Sequence, residues 1–204
     1  VLSQPDMSDS NAFKALGEPK LFWGISPGCV DSMVANYTAV GKRRKQDDFT
    51  PGGENNRRPD RAAIVYANAI RAAWKPCKPI ILGGVEASLR RIAHYDFWSD
   101  KVRRPIVCDA KADALSYGMG ERTILAFAQA IKDGTDWRNI PGLCWMAGEK
   151  DFVPPANAVT LPSFADVSAN TPEGKKAFSE AFVKFSKNQD PISGNPLIQK
   201  VDNR

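Results

Sequence analysis

Most of the side chains that could do chemistry lie between Gly83 and Arg104. This stretch holds four arginines, the only histidine of the chain, two aspartates and three aromatic residues. Planar guanidinium groups bind carboxylates and phosphates, and a histidine with a pKa near ~6.5 can exchange a proton close to neutral pH. The stretch therefore predicts either a site for an anionic ligand or a rigid insertion held by Arg–Asp pairs against a neighbouring domain. For His94, a structural hydrogen bond and a catalytic role are both open.

A short helix is predicted at the start of this stretch. Val85, Leu89 and Ile92 form an apolar stripe at helical spacing. Glu86 and Arg90 are four residues apart in the orientation that favours a helical ion pair. We therefore expect these two side chains to pair.

Three glycine-containing turns follow three predicted strands. They are Pro27-Gly28, Gly83-Gly84 and Gly118-Met119-Gly120. In an open parallel sheet, ligands bind at the carboxyl edge of the strands, and glycine lets the backbone approach a ligand closely. Glycine can equally serve packing in a tight turn. The third turn does not fit a pyrophosphate site, because Glu121 lies in the first helical turn, where it would repel a phosphate.

We expect the glycine turns and an arginine-rich insertion at 85–105 to line one rim of the sheet. No Gly-x-Ser-x-Gly motif is present to seat a nucleophilic serine, so a nucleophilic triad is not supported and the catalytic residues are unknown. The candidate substrate- or ligand-binding residues are Gly28, Asp31, Ser32, Gly83, Gly84, Glu86, Ser88, Arg90, Arg91, His94, Asp96, Trp98, Arg103, Arg104, Gly118, Gly120 and Glu121.

The four cysteines do not predict a metal site. Cys29, Cys77, Cys108 and Cys144 are widely separated, whereas metal-binding thiols usually come in closely spaced pairs. We expect reduced, mostly buried thiols and no metal bound to this chain.

Positive charge is concentrated in one window. Residues 42–104 contain fifteen Lys and Arg against seven Asp and Glu, a local charge of +8 within an overall charge of +5. Such an excess favours an anionic partner, either a nucleotide, a nucleic acid or an acidic surface of another domain. A solvated face or an interdomain salt-bridge network is the alternative.

Apolar runs alternate with helical stripes along the chain. This alternation predicts an α/β domain with a three-layer, mostly parallel open sheet and helices on both faces. Asp60 is the expected N-cap of a helix reaching about Lys75, and 41–59 reads as a long mobile loop. The predicted strands are at 21–26, 79–82, 114–117 and 143–147, with helices at 30–37, at 60–75 and from Gly120 to a stop at Gly134.

The chain divides into a domain at 1–150 and an irregular C-terminal extension at 151–204. The extension contains a helix starting at Thr171-Pro172, with Phe178, Ala181, Phe182 and Phe185 on one face. Val1 to Pro5 resemble the end of a strand, which predicts truncation at the N-terminus. There is no secretory signal and no apolar run of the ~20 residues that span a bilayer, so a cytoplasmic protein without a membrane partner is expected.

Several long motifs resemble one known family, the N-terminal region of YgiQ-type radical SAM proteins. The motifs are GGVEASLRRIAHYDFWSDKVRRPIVCDAKAD at 83–113, YGMGER at 117–122, ISPGCVDSMVANYTA at 25–39, RRPDRA at 57–62, QPD at 4–6 and LPSF at 161–164. They cover nearly the whole chain.

The resemblance implies an accessory domain rather than a catalytic one. Members of the family hold a [4Fe–4S] cluster on a C-x-x-x-C-x-x-C loop, and S-adenosylmethionine binds the open iron; no cysteine here matches that loop. The cluster, S-adenosylmethionine and the catalytic barrel are therefore expected beyond Arg204 in a parent protein of unknown substrate. This domain would cover the barrel, contribute to substrate binding and be inactive alone.

The resemblance also implies a Rossmann-like fold similar to the cobalamin-binding-like domains of other radical SAM enzymes. Gly83-Gly84 and Gly118-Met119-Gly120-Glu121 match turns of those domains. The cobalt-ligating motif Asp-x-His-x-x-Gly is absent, so cobalamin could bind only without a protein ligand. A cobalamin-like ligand domain, and a nucleotide- or nucleic-acid-binding module using residues 42–104, remain as alternatives.

Overall fold

The structure is a computed structural model that describes residues 1–9, 11–148 and 152–201. The strands are β1 (Trp23–Ile25), β2 (Ile80–Leu82), β3 (His94–Asp96), β4 (Lys101–Arg103), β5 (Ala114–Ser116), β6 (Leu143–Cys144), β7 (Val159–Thr160) and β8 (Leu197–Ile198). The helices are α1 (Ser32–Asn36), α2 (Ala62–Ala73), α3 (Gly84–Leu89), α4 (Ile106–Ala110), α5 (Glu121–Asp133), α6 (Phe164–Ser168) and α7 (Pro172–Lys187), preceded by a 3-10 turn at Ala12–Lys14.

The central sheet has the strand order β1-β2-β5-β6. The first three strands are parallel, with Gly24 opposite Ile81 and Ile81 opposite Ala114. The edge strand β6 is antiparallel, with Cys144 opposite Leu115. The prediction of a mostly parallel sheet is confirmed.

Alternate side chains of the sheet point into two separate cores. Ile80, Leu82 and Leu115 pack in one cluster with buried residues of α2 and α4. Ile81 and Ala114 point the other way and pack with Phe127 of α5. Helices thus cover both faces, as period-two alternation in a buried sheet requires, and the three-layer α/β architecture is confirmed.

Asp60 is not the N-cap of α2, contrary to the sequence prediction. Its carboxylate accepts hydrogen bonds from Asn36 Nδ2 at 2.8 Å and from the Tyr37 hydroxyl at 2.7 Å. The N-cap is Arg61, in the left-handed region with φ 51°. Local spacing could not predict this, because residues of α1 are the partners of Asp60.

Residues 41–59 have no helix or strand but contain buried polar side chains. Arg58 and Asp47 form an ion pair at 3.1 Å with side-chain exposures of 5% and 1%. Asn55 Nδ2 donates to the carbonyl of Asn36 at 3.0 Å. These contacts tie the segment to α1 and to itself.

The C-terminal segment packs on the hairpin of β3 and β4. Val167 of α6 and Ala181 of α7 join Ala93 and Val102 in a third small core. Phe182, which belongs to the predicted apolar stripe of α7, is 62% exposed and is not covered by this packing. Val1 to Pro5 form no strand, which is a second correction.

Candidate functional site

A groove of about 590 Å³ lies beside elements that leave the sheet at the carboxyl ends of β1 and β2. Its lining comes from α1 and the turn that follows it, from the end of α3, and from the β3–β4 hairpin. A volume of this size falls within the range of small-molecule sites, which are mostly apolar with a few convergent polar groups. The lining includes Asp31, Tyr37, Arg44, Arg90, Phe97 and Trp98.

The glycine turns after β1 and β2 are in contact. A Cβ atom on Gly84, whose φ is +82°, would lie 2.8 Å from Ser26 Oγ and 3.6 Å from the carbonyl oxygen of Gly28. Glycine is therefore required at position 84 by both backbone conformation and close packing. Gly83 is its neighbour and precedes α3 as the N-cap.

The third glycine turn is covered by the C-terminal segment. A Cβ atom on Gly118 would lie 3.2 Å from Pro191 Cγ, and one on Gly120 would lie 2.7 Å from Ser116 Oγ. Gly120 caps α5, and Glu121 is exposed in the first turn of that helix. Packing accounts for the glycines of this turn, and its residues do not line the groove.

Asp31 and Arg90 form an ion pair at the groove. Arg90 Nη1 donates to Asp31 Oδ2, and the other oxygen of Asp31 accepts from Met33 N at 2.9 Å, which caps α1. The only atom of Glu86 to which Arg90 donates is the backbone carbonyl oxygen, at 3.2 Å; Arg90 does not donate to the Glu86 carboxylate. The predicted Glu86–Arg90 ion pair is therefore wrong, because each side chain has a long-range partner.

Glu86 is buried inside the fold, with 1% exposure. Its two carboxylate oxygens accept from Ser32 N at 2.8 Å and from Ala63 N at 3.1 Å. Ser32 is also fully buried, and its hydroxyl accepts from Ala62 N at 3.0 Å. These two candidate residues satisfy the first N–H groups of α1 and α2, which lack intrahelical partners.

Asp96 and Trp98 hold the β3–β4 hairpin against α1 and α2. Asp96 accepts from Arg61 Nη2 at 2.7 Å and from the backbone of Ser99 at 3.1 Å. The Trp98 ring lies 4.8 Å from the Tyr37 ring, centroid to centroid. These contacts fix one wall of the groove.

The remaining arginines of the insertion are held by partners within the chain. Arg103 and Arg104 both donate to Asp109, at 2.8 and 3.0 Å. Arg91 lies between the rings of Tyr117 and Phe185, at 4.4 and 4.3 Å from their centroids. Its Nη1 also donates to the carbonyl of Ser88 at 2.6 Å, so Ser88 and Arg91 connect the insertion to the C-terminal segment.

His94 lines the groove but is mostly buried. Burial lowers its pKa from the ordinary 6.5 to about 4, opposed by a hydrogen bond to the Ile92 carbonyl, while Arg90 and Arg103 favour the neutral form. Asp96 acts in the opposite sense. The imidazole is therefore neutral at physiological pH, and the structure favours the structural role for this residue.

The pKa of His94 predicts a pH dependence of stability. The unfolded chain takes up the proton near pH 6.5, whereas the folded chain resists it until about pH 4. The contribution of His94 to the free energy of unfolding is therefore full above pH 6.5 and decreases as the pH falls. We expect the free energy of unfolding, measured with urea, to drop by up to about 2 kcal/mol between about pH 7.5 and about pH 5 through His94.

The matched control for this prediction is His94→Gln. Both proteins have the same carboxylates, so these contribute equally to the pH dependence. The free energy of unfolding of the variant should therefore decrease less over the same pH range. Equal slopes in the two proteins would show that His94 titrates normally in the folded state.

Several groove residues were missed by the sequence reasoning. The sequence pattern places Leu89 only in a helical stripe, and Arg44 only in the loop at 41–59. Tyr37, Tyr95 and Phe97 carry a usable signal, since aromatic side chains are enriched at binding surfaces. Val34, Thr38 and Ala39 complete this part of the lining.

The cysteines do not fit the iron–sulfur cluster that the resemblance implies. Cys29 is exposed and the others are half-buried, so the prediction of mostly buried thiols is too strong. Burial raises the pKa of Cys144 to about 11, which keeps its thiol protonated and a poor metal ligand. Within the described ranges, no three His, Cys, Asp or Glu side chains are grouped as a metal site.

None of the helices in the described part of the chain combines enough length with enough apolar character to cross a bilayer.

Comparison with known proteins identifies relatives along the full length of the chain. It is 52% identical over 207 residues to UPF0313 protein FN0734 of Fusobacterium nucleatum, a match that covers 100% of this chain and 35% of that protein. A UPF0313 protein of Thermotoga maritima is 45% identical with the same coverage. One of Geobacter sulfurreducens is 43% identical, and 33% of its length is covered.

The chain thus spans about a third of the length of the curated relatives it matches. No solved structure matches it significantly. The family model described as radical SAM N-terminal matches residues 1–204. The chain therefore belongs to the radical SAM N-terminal family, as the motifs in its sequence predicted.

Proposed function

We propose that this chain is the N-terminal accessory domain of a longer, cytoplasmic radical SAM enzyme. In that enzyme the rim of the groove faces the catalytic domain, and the groove contributes to the substrate site. The [4Fe–4S] cluster and S-adenosylmethionine would be held by the rest of the protein, since the thiols of this chain do not provide a cluster loop. The chain alone would be catalytically inactive.

The observation that carries this proposal is the exposed apolar surface around the groove. Val34 is 59% exposed, Leu89 62%, Tyr95 50% and Phe97 60%. Concentrations of large exposed apolar side chains mark interaction sites on proteins. All four residues line the groove, so a partner that covers the groove would bury them together.

Ion pairing within the chain makes a nucleic-acid-binding module the weaker interpretation. Arg58, Arg61 and Arg90 each pair with an aspartate, and Arg103 and Arg104 share Asp109. Five of the fifteen Lys and Arg side chains of residues 42–104 are thus held by carboxylates of the chain itself. A cobalamin-like site is disfavoured as well, because Pro191 packs on Gly118 at the carboxyl end of β5.

Crosslinking of the full-length protein tests the orientation of the domain. Lys45 and Lys101 are exposed and flank groove residues, so amine-reactive crosslinks from these two lysines to the region after residue 204 are expected. Lys20, Lys78 and Lys111 are exposed near the amino ends of β1, β2 and β5, and they serve as matched controls. Crosslinks from the controls alone, or equally from both groups, would contradict the proposal.

A further inference from the structure

Arg44 is held at the groove with part of its guanidinium group available. Its Nε donates to the carbonyl oxygens of Val34 at 3.1 Å and of Tyr37 at 3.0 Å, at the end of α1. These bonds fix the guanidinium against the helix terminus. Its Nη1 and Nη2 atoms make no hydrogen bond to any residue in the described ranges. Such an anchored guanidinium suits two-point binding of a carboxylate or phosphate.

The carboxylates of the groove do not oppose an anion. Asp31 is neutralised by Arg90, and Asp96 is neutralised by Arg61. The charge of Arg44 has no carboxylate partner among the described residues. The groove therefore presents one uncompensated positive charge, and charge complementarity calls for a negatively charged ligand.

The same groove is also lined by aromatic rings. Phe97 contacts Trp98 edge to face, with 5.6 Å between ring centroids, and Trp98 is held in place by Tyr37 at 4.8 Å. Phe97 keeps 60% of its surface exposed. An exposed ring on a fixed support can stack against the flat face of a ligand, and such stacking is favourable for any aromatic ring.

We propose that the groove binds a planar aromatic anion, with its ring on Phe97 and its carboxylate or phosphate on the guanidinium group of Arg44. This inference names a ligand class for the groove and rests on the proposed function of the domain. An aromatic carboxylate and a nucleoside monophosphate share the required chemistry.

Calorimetric titration of the full-length protein separates the two sources. Indole-3-acetate is the probe for an aromatic carboxylate, and adenosine 5′-monophosphate is the probe for a nucleoside monophosphate. Adenosine supplies a ring without the anion, and inorganic phosphate supplies an anion without the ring. At least one ring-bearing anion should bind about tenfold more tightly than either half probe. The tighter binder of indole-3-acetate and adenosine 5′-monophosphate then shows whether the ligand is an aromatic carboxylate or a nucleoside monophosphate.

Two variants with matched controls test the assigned residues. Arg44→Gln and Phe97→Ala should each weaken binding of the ring-bearing anion by about tenfold. Arg122→Gln replaces an exposed arginine on α5, and Phe182→Ala removes an equally exposed ring on α7; both should leave the affinity unchanged. Circular dichroism on each variant shows whether it is folded.

Three results with these probes and variants would overturn the inference. They are no binding of either ring-bearing anion, equal binding of inorganic phosphate alone, and affinity unaffected by both Arg44→Gln and Phe97→Ala. A single-stranded oligonucleotide that binds while the monophosphate does not would also overturn it in favour of a polymer. Because crosslinking measures the orientation of the domain independently, crosslinks from Lys45 and Lys101 without ligand binding would overturn the ligand class and leave the accessory-domain proposal intact.

Discussion

Glu86→Ala should destabilise the chain by about 4 kcal/mol, because it leaves two buried backbone N–H groups without acceptors. The carboxylate of Glu86 accepts from Ser32 N and Ala63 N, and the side chain is 1% exposed. Each unsatisfied buried donor carries its own desolvation cost, and the cavity left by the side chain adds to the loss. Urea denaturation followed by circular dichroism measures the effect as a lower midpoint at unchanged slope.

Glu121→Ala is the matched control for this prediction. Glu121 also lies in the first turn of a helix that follows a strand and a glycine turn, but it is exposed. Its interaction is limited to the helix dipole, so a loss of about 0.5 kcal/mol is expected. Glu86→Gln should fall between the two, since its amide oxygen can accept only from one of the two N–H groups. A loss for Glu86→Ala no larger than that for Glu121→Ala would show that the carboxylate is not a structural cap.

The sheet and its helical layers could be predicted from the sequence because the relevant signals are local. Each parallel strand is a short apolar run ended by a glycine turn, as in Ile80–Leu82 before Gly83. The helix α5 ends at Gly134, whose φ is +68°, which is the usual C-terminal role of glycine. Patterns of this kind depend on residues only a few positions apart.

The caps could not be predicted because their partners are distant in the sequence. Ala63 N is capped by Glu86, 23 residues away, and Ala62 N by Ser32, 30 residues away. Spacing within one helix predicts Arg90 as the partner of Glu86, but in the folded chain Arg90 pairs with Asp31. A buried polar residue is placed by the fold as a whole, so its sequence neighbours carry little information about it.

The groove could be predicted only in part from the sequence. Four candidate residues of the arginine-rich insertion, which could be named from composition, line it: Arg90, His94, Asp96 and Trp98. Asp31, the N-cap of α1, is a fifth candidate in the lining. The rest of the lining includes Tyr37 and Arg44, which are far from the hairpin in the sequence. Aromatic contact between Tyr37 and Trp98 joins residues that no local pattern connects.

Arg58→Met should cost about 3 kcal/mol, because it removes the partner of a buried aspartate. Burial raises the pKa of Asp47, but hydrogen bonds from Thr50 and Phe49 together with Arg58 lower it overall, so this carboxylate is charged at neutral pH. Without Arg58 the charge remains in a site where its side chain is 1% exposed. Denaturation at neutral pH measures the loss as a lower urea midpoint.

A double variant separates the loss of the pair from the cost of burying it. Arg58 Nε and Nη1 have no hydrogen-bond partner in the described part of the chain, so burying this arginine is itself unfavourable. Asp47→Asn with Arg58→Met removes both charges and should recover about half of the loss, because the asparagine side-chain oxygen can still accept from Phe49 N. Arg71→Met, which breaks the more exposed pair with Asp113, should cost about 0.5 kcal/mol and is the surface control. Two results would contradict this prediction. One is an equal loss of unfolding free energy for Arg58→Met and Arg71→Met, and the other is a double variant whose loss equals the sum of its single variants. Either would mean that burial does not set the strength of the Arg58–Asp47 interaction.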